Sequence, residues 1–118
     1  MSKKILIVDD DPPILKGIEM VLKAGGFTTM ATLKGEETIG LIESFQPDIL
    51  VIDVMLQNID GRAIAKKIKS NKKTSSLPII VISANQSYEK DIASYGVDTF
   101  IAKPFSSALL LETISKHC

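Results

Sequence analysis

The chain has 118 residues, which suits one domain, residues 1–118, with a single hydrophobic core. Its 14 basic and 14 acidic residues balance, so no overall field favours nucleic acid or a membrane surface as a partner. It has no apolar run that could span a bilayer and no signal-peptide pattern, and its only cysteine, Cys118, excludes an intrachain disulfide. We therefore expect a cytoplasmic globular protein.

Strand and helix patterns alternate along the whole chain. Short runs of β-branched and aliphatic residues bounded by turn formers are typical of buried strands, and apolar residues three or four positions apart indicate helices. Asp11 can cap the first helix with Pro12 at its first position, and Gly25 and Gly26 end it. In chain order, the pattern predicts strands at 5–8, 27–32, 49–52, 79–82 and 100–102, and helices at 12–24, 35–45, 61–70, 86–95 and 105–116.

This alternation predicts an α/β fold. Five βα units joined by right-handed crossovers give a doubly wound parallel sheet with helices on both faces. The strand at 27–32 is only weakly apolar, so we expect it at an edge of the sheet. In the last helix, Leu110 and Ile114 suit the inner face. Leu109 or Leu111 is then expected to be partly exposed and to form part of a partner surface.

Polar residues follow four of the five predicted strands. Asp9 and Asp10 follow the first strand, Asp53 the third, Ser83 the fourth and Lys103 the fifth. The carboxyl ends of parallel strands share one edge of the sheet, where open α/β sheets bind their ligands. Three carboxylates, a hydroxyl and an ammonium are therefore expected to converge at that edge.

This set of groups predicts metal-assisted phosphoryl chemistry. Crowded carboxylates repel each other, and a divalent cation such as Mg²⁺, which prefers oxygen ligands, relieves the repulsion. The ammonium of Lys103 can pair with an anion, and a carboxylate nucleophile can form an aspartyl phosphate. Positioning and charge neutralisation supply most of the catalysis in phosphoryl transfer, and a metal and a lysine provide both.

With these residues in place, the chain resembles the receiver domain of two-component response regulators over its whole length. The resemblance implies a CheY-like, flavodoxin-like (βα)5 three-layer sandwich with strand order 2-1-3-4-5. It rests on four separated motifs that occur in the family's order, namely Val8-Asp9-Asp10, Asp53 with Asp60-Gly61 downstream, Ser83-Ala84, and Lys103-Pro104-Phe105.

The resemblance also implies a role for each residue of the acidic edge. Asp53 is expected to accept a phosphoryl group from a sensor histidine kinase or a phosphotransfer protein, with Mg²⁺ as the cofactor. Asp10 is expected to ligate Mg²⁺ directly, Asp9 mainly through water, and Met55 through its backbone carbonyl. Lys103 is expected to pair with the phosphoryl group.

A switch toward an output surface is implied in the same way. Ser83 is expected to bond a phosphoryl oxygen, and Phe100 to turn inward in response. This movement would change the face formed by the fourth helix, the fifth strand and the fifth helix, which is expected to bind a second copy or an effector. The resemblance implies no enzyme activity beyond the chain's own phosphorylation and dephosphorylation.

Four residues depart from the family pattern or occupy its variable positions. Gln57 stands where the family usually has proline, which predicts a looser loop after the acceptor. Phe100 replaces a frequent tyrosine and has no hydroxyl to bond. Met55 and Asn85 occupy the two positions thought to tune dephosphorylation, and neither is charged, so the lifetime of the phosphoryl group stays open.

Three other classes of protein fit the sequence less well. A phosphatase or phosphotransferase of the haloacid dehalogenase type typically has a second aspartate two residues after the nucleophile, where this chain has Met55. An interaction module that does not use phosphate is disfavoured by the complete acidic set. A nucleotide-binding protein would need a glycine-rich phosphate loop, which this sequence lacks.

The lysines at 66, 67, 69, 72 and 73 fit a solvated helix end better than a nucleic-acid site.

Overall fold

Five parallel strands form one sheet in the computed structural model, which describes residues 2–117. Cys118, on which the disulfide argument rests, lies outside the described residues. The order across the sheet is β2-β1-β3-β4-β5, as predicted. The strands are β1 (Lys4–Val8), β2 (Thr28–Thr32), β3 (Ile49–Asp53), β4 (Ile79–Ser83) and β5 (Thr99–Ala102).

Helices cover both faces of this sheet and make the fold a three-layer sandwich. One face carries α1 (Pro12–Ala24) and the last helix (Ser107–Lys116), and the other carries α2 (Thr38–Phe45), α3 (Gly61–Ser70) and a 3₁₀ helix (Gln86–Tyr95). A short 3₁₀ turn, Gly35–Glu37, precedes α2. The doubly wound α/β fold predicted from the alternation is therefore confirmed.

The two cores follow from the alternation of side chains along each strand. Leu50 and Ile52 of β3 face the core shared with α2 and α3, whereas Ile49 and Val51 face the core shared with α1 and the last helix. Every residue of β3 and β4 is buried, which explains their unbroken apolar sequences. The strand β2 is only partly buried and lies at an edge, as expected from its weaker pattern.

Capping residues fix most of the helix ends. The side chain of Asp11 accepts a hydrogen bond from the Ile14 amide at 3.4 Å, as predicted for the first helix. The last helix begins at Ser107 rather than at 105, because Ser106 caps it through a 3.0 Å bond from the Leu109 amide. Within it, Leu110 and Ile114 are buried and Leu109 is exposed, in agreement with the sequence pattern.

The fourth helical segment has the predicted bounds but a tighter geometry than the α-helices. Residues 86–95 form a 3₁₀ helix rather than an α-helix, and none of them is fully buried. Asn85 caps its start through the Ser87 amide, and Gly96, at a φ of +77°, ends it. Its Tyr88, Ile92 and Tyr95 are only partly buried against the core.

No helix in the described part of the chain has both the length and the apolar composition needed to cross a bilayer.

Candidate functional site

The parallel register brings the predicted site residues to one edge of the sheet. Asp53 ends β3 opposite Ile82, so it lies level with the end of β4, where Ser83 is the last residue. Asp9 directly follows β1, and Lys103 directly follows β5. The convergence expected from the four strand ends is therefore observed.

Three carboxylates form an acidic cluster at this edge. Carboxylate oxygens of Asp9, Asp10 and Asp53 lie within 4.8 Å of one another. Asp9 is fully buried and Asp53 is 5% exposed, whereas Asp10 is half-buried. The Asp11 amide donates to Asp9 Oδ1 at 3.0 Å, and the Met55 amide donates to Asp53 Oδ1 at 3.0 Å. These backbone bonds hold two of the carboxylates in place.

The ammonium of Lys103 lies between two of these carboxylates. Its Nζ donates to Asp9 Oδ2 at 2.9 Å and to Asp53 Oδ2 at 2.7 Å. Burial raises the pKa of Asp9 above its ordinary value, although Lys103 and the Asp11 amide oppose the shift. Burial would lower the pKa of Lys103, but its hydrogen bonds to both carboxylates raise it. Lys103 is therefore held in its charged form beside Asp53.

Ser83 and Phe100, the two residues of the predicted switch, lie on the side of the site toward the 3₁₀ helix. Ser83 is fully buried, and its Oγ accepts a hydrogen bond from the Asn85 amide at 3.1 Å. Its carbonyl accepts from the Lys103 amide at 2.9 Å. Phe100 is half-buried and packs against the same core cluster as Tyr88. The switching roles of the two residues stay predictions.

The acidic cluster fits a hard divalent cation. It supplies three carboxylates in one place, and such oxygen donors suit Mg²⁺. The buried charge of Asp9 is compensated by the single ammonium of Lys103, so the cluster still carries excess negative charge. Asp9, Asp10 and Asp53 are the residues that would hold the ion, and the backbone carbonyl of Met55 as a further ligand stays a prediction.

A short hairpin closes the loop that follows Asp53. Met55–Leu56 pairs antiparallel with Ile59–Asp60, and Asn58 takes a φ of +60° at the turn. Backbone pairing thus flanks Gln57, and the looser loop expected from this residue stays a prediction. The hairpin leads directly into α3.

Two residues at the start of α3 contribute to the site but were not singled out for that role from the sequence. Asp60 caps the helix, and Gly61 packs against the backbone of the acceptor: a Cβ there would lie 1.9 Å from the carbonyl oxygen of Asp53. Arg62 binds Asp60 and stacks over two tyrosines of the 3₁₀ helix. The sequence feature that could have pointed to Arg62 is a positive charge in the first turn of a predicted helix, where the helix dipole disfavours it.

The pair of Asp60 and Arg62 predicts a dependence of stability on pH. Although burial would raise it, hydrogen bonds from Arg62 hold the pKa of Asp60 below its ordinary 3.8. A lowered carboxyl pKa stabilises the folded state above pH 3.8, and this contribution is lost as the pH falls through the folded-state pKa. An NMR titration of the Asp60 carboxyl carbon should give a value below 3.8, and Arg62→Gln should raise it. An equal pKa in both proteins would contradict this assignment.

Comparison with known proteins agrees with this architecture. Residues 5–115 match the family model of the response regulator receiver domain. Response regulator MprA of Mycobacterium ulcerans (strain Agy99) is 34% identical over 113 residues, which cover 94% of this chain and 48% of that protein. The chain thus spans about half the length of this curated relative.

Solved structures of response regulators superpose closely on the chain. The response regulator TrrA of Thermotoga maritima, in complex with Mg²⁺ and BeF, has a TM-score of 0.89 at 29% identity, with 98% of this chain and 99% of that chain covered. The chemotaxis response regulator CheY4 of Vibrio cholerae has a TM-score of 0.92 at 22% identity over the full length of both chains, a likeness of fold alone. Since the family model matches nearly the whole chain, the protein belongs to the response regulator receiver domains of two-component signalling.

Proposed function

We propose that this receiver domain accepts a phosphoryl group on Asp53 from a sensor histidine kinase or a phosphotransfer protein, and that the modification changes its output face. The observation that carries the proposal is the contact of Lys103 Nζ with Asp53 Oδ2 at 2.7 Å, beside the cluster of three carboxylates. A carboxylate, a fixed cation and a metal-binding group are the parts that acyl phosphate chemistry needs.

Each residue at this edge of the sheet has a separate role in the proposed transfer. An oxygen of the Asp53 carboxylate attacks phosphorus, the bond to the donor's leaving group breaks, and an acyl phosphate forms on Asp53. Lys103 already lies at hydrogen-bonding distance from that carboxylate and can pair with the phosphoryl oxygens. Mg²⁺ held by the acidic cluster would supply further positive charge to those oxygens. We propose that the chain catalyses only this transfer and the later hydrolysis of the acyl phosphate, which restores the Asp53 carboxylate.

Charge added at Asp53 gives a physical cause for the switch. A phosphoryl group brings a charge of roughly −1.5 to −2 and three acceptor oxygens. The Ser83 hydroxyl now accepts from the Asn85 amide, and donation of its proton to a phosphoryl oxygen would draw the loop after β4 toward Asp53. Phe100, packed beside the 3₁₀ helix, can then turn into the space that opens. We propose that the face made by the 3₁₀ helix, β5 and the last helix, which includes exposed Leu109, binds a second copy or an effector.

Beryllofluoride, which mimics a phosphoryl group on a carboxylate, provides the test of this switch. With Mg²⁺ present, we expect it to shift the backbone amides between Ser83 and Leu111 far more than those of α2. The ratio of two conformations changes tenfold for a free-energy difference of about 1.4 kcal/mol, so a small difference is enough to switch the output face. NMR spectra of the free and treated protein provide the measurement. Shifts confined to the surroundings of Asp53, with Phe100 unmoved, would show that this chain lacks the switch.

The metal site has its own test in Asp10→Asn. Loss of a carboxylate from the cluster should slow phosphorylation by a small donor at least about a hundredfold, since even outer-shell partners of a metal are worth about 10- to 100-fold. The fold should stay intact or gain stability, because one repelling charge is gone. Intact mass spectrometry with acetyl phosphate and Mg²⁺ measures the rate.

Asp11→Asn is the matched control for that experiment, because it removes one negative charge from the neighbouring residue and asparagine still caps α1. It should be phosphorylated at the wild-type rate. Wild-type phosphorylation of the Asp10→Asn protein would refute the assignment of Asp10 to the metal.

The cytoplasmic location stays a prediction.

A further inference from the structure

Arg62 makes an unusual set of contacts for a residue on a helix surface. Its side chain is 12% exposed, and its Nε and Nη2 donate to Asp60 Oδ1 at 3.1 Å and Oδ2 at 2.7 Å. The guanidinium lies 4.3 Å from the ring centre of Tyr88 and 4.9 Å from that of Tyr95. Its Nη1 lies 3.8 Å from Asp91, a more distant and exposed partner. Three of these four partners belong to the 3₁₀ helix.

The position of Arg62 in the helix is costly without those contacts. It lies in the first turn of α3, where the helix dipole opposes a positive charge, and it is largely removed from water. The capping carboxylate of Asp60 offsets both costs through a two-pronged pairing, which is a strong geometry for arginine. The planar guanidinium then keeps both faces available for aromatic rings, which a lysine could not offer.

One end of this network is attached to the backbone that follows the acceptor. Asp60 pairs with Met55 in the hairpin, and the Gly61 amide donates to the Val54 carbonyl at 2.8 Å. Asp53 is the residue before Val54, and its side chain accepts from the Met55 amide. A displacement of this backbone therefore moves the anchor of Arg62.

The other end of the network is the 3₁₀ helix, whose Tyr88, Ile92 and Tyr95 are only partly buried against the core. The 3₁₀ helix has no fully buried residue, and its ring-bearing residues Tyr88 and Tyr95 are only half-buried. The stacked guanidinium therefore adds to the apolar packing that holds this segment against α3. Cation–π contacts are stronger when they are shielded from water, as this one is.

We infer that Arg62 is a positioning residue that clamps the 3₁₀ helix to α3 and couples it to the loop after Asp53. This second connection runs from the acceptor through its own hairpin and is separate from the one through Ser83 and Phe100. The clamp itself exists without phosphate. Its use in signalling rests on the proposed function, since movement of the hairpin matters only if Asp53 is modified.

Amide hydrogen exchange tests the clamp in the phosphate-free protein. Arg62→Gln should speed exchange of the 3₁₀-helix amides about tenfold, as expected for losing two partly desolvated cation–π contacts, while the β3 amides keep their rates. Arg62→Lys should restore little of the protection, because it keeps the charge but not the planar stack. Lys67→Gln, which removes an exposed charge from α3, is the control and should leave the exchange rates of the 3₁₀-helix amides unchanged. Unchanged exchange in Arg62→Gln overturns the clamp.

Beryllofluoride tests the coupling with the same variants. In wild type, we expect amide shifts both around Asp53 and in the 3₁₀ helix. In Arg62→Gln, the shifts around Asp53 should persist, and those of the 3₁₀ helix should fall by more than half. Full-size shifts in the 3₁₀ helix of the variant overturn the coupling. Wild-type protein that shows no shift even around Asp53 overturns the proposed phosphate acceptor and the coupling with it, while the exchange result for the clamp still stands.

Discussion

Asp53→Asn should abolish all phosphoryl labelling of this chain. The amide of asparagine cannot attack phosphorus as a carboxylate does, and no other carboxylate of the acidic cluster has the same contacts with both Lys103 and the Met55 amide. We expect a loss of at least about a thousandfold, as for removal of the nucleophile from an enzyme. Intact mass spectrometry after incubation with acetyl phosphate and Mg²⁺ measures the loss.

Two further experiments test this assignment. The label on the wild-type chain should be removed by hydroxylamine, because an acyl phosphate is labile to that nucleophile. Asp48→Asn, which alters a carboxylate just before β3 at the opposite end of the sheet, should be labelled like wild type. Label that persists on a serine or a histidine of the Asp53→Asn protein would show that the chemistry proposed here is wrong.

Gly61→Ala should be among the most destabilising single substitutions of the chain. An added Cβ would lie 1.9 Å from the carbonyl oxygen of Asp53 and 2.9 Å from its carbonyl carbon. Both atoms belong to the backbone of a fully buried central strand, so neither can move aside as the end of a flexible side chain could. We expect the free energy of unfolding to fall by about 3 kcal/mol or more. Urea denaturation measures the change.

Gly40→Ala is the matched control for this substitution. Gly40 lies within α2, and a Cβ there meets nothing within 4 Å. Alanine should therefore stabilise the protein by roughly 0.5–1 kcal/mol, since glycine is the poorer helix former. Equal stability changes at both positions would show that the contact of Gly61 with Asp53 does not constrain the fold. If Gly61→Ala folds, its phosphorylation rate should also fall, because the acceptor backbone is displaced.

The strand ends were predictable because their physical causes are local. The run Ile49–Ile52, which is aliphatic, mostly β-branched and bounded by polar residues, is typical of a buried strand, and a polar residue after such a strand lies at the carboxyl edge of a parallel sheet. The same argument placed Asp9, Ser83 and Lys103, and the structure brings all of them together. Because the sheet is buried on both faces, its central strands are continuous apolar runs, and the first polar residue marks the end of each strand.

The features that escaped prediction depend on contacts between distant parts of the chain. The Asp60-Gly61 pair indicates a turn and a helix start, but the need for glycine comes from Asp53, eight residues earlier. Arg62 resembles any exposed cation until Tyr88 and Tyr95 are found beside it. The 3₁₀ geometry of residues 86–95 is likewise not visible in an apolar pattern that an α-helix would fit equally well.

Lys103 gives two buried carboxylates a counter-ion that belongs to the chain itself. Small zinc domains stay unfolded without their metal, because metal binding supplies the free energy that folds them. Here the compensating charge is the side-chain ammonium of Lys103, the residue that directly follows β5, and it reaches the carboxylates when that strand joins the sheet. On the proposed function, folding does not depend on the supply of metal: a shortage of magnesium would leave the amount of folded protein unchanged and would slow only the modification of Asp53.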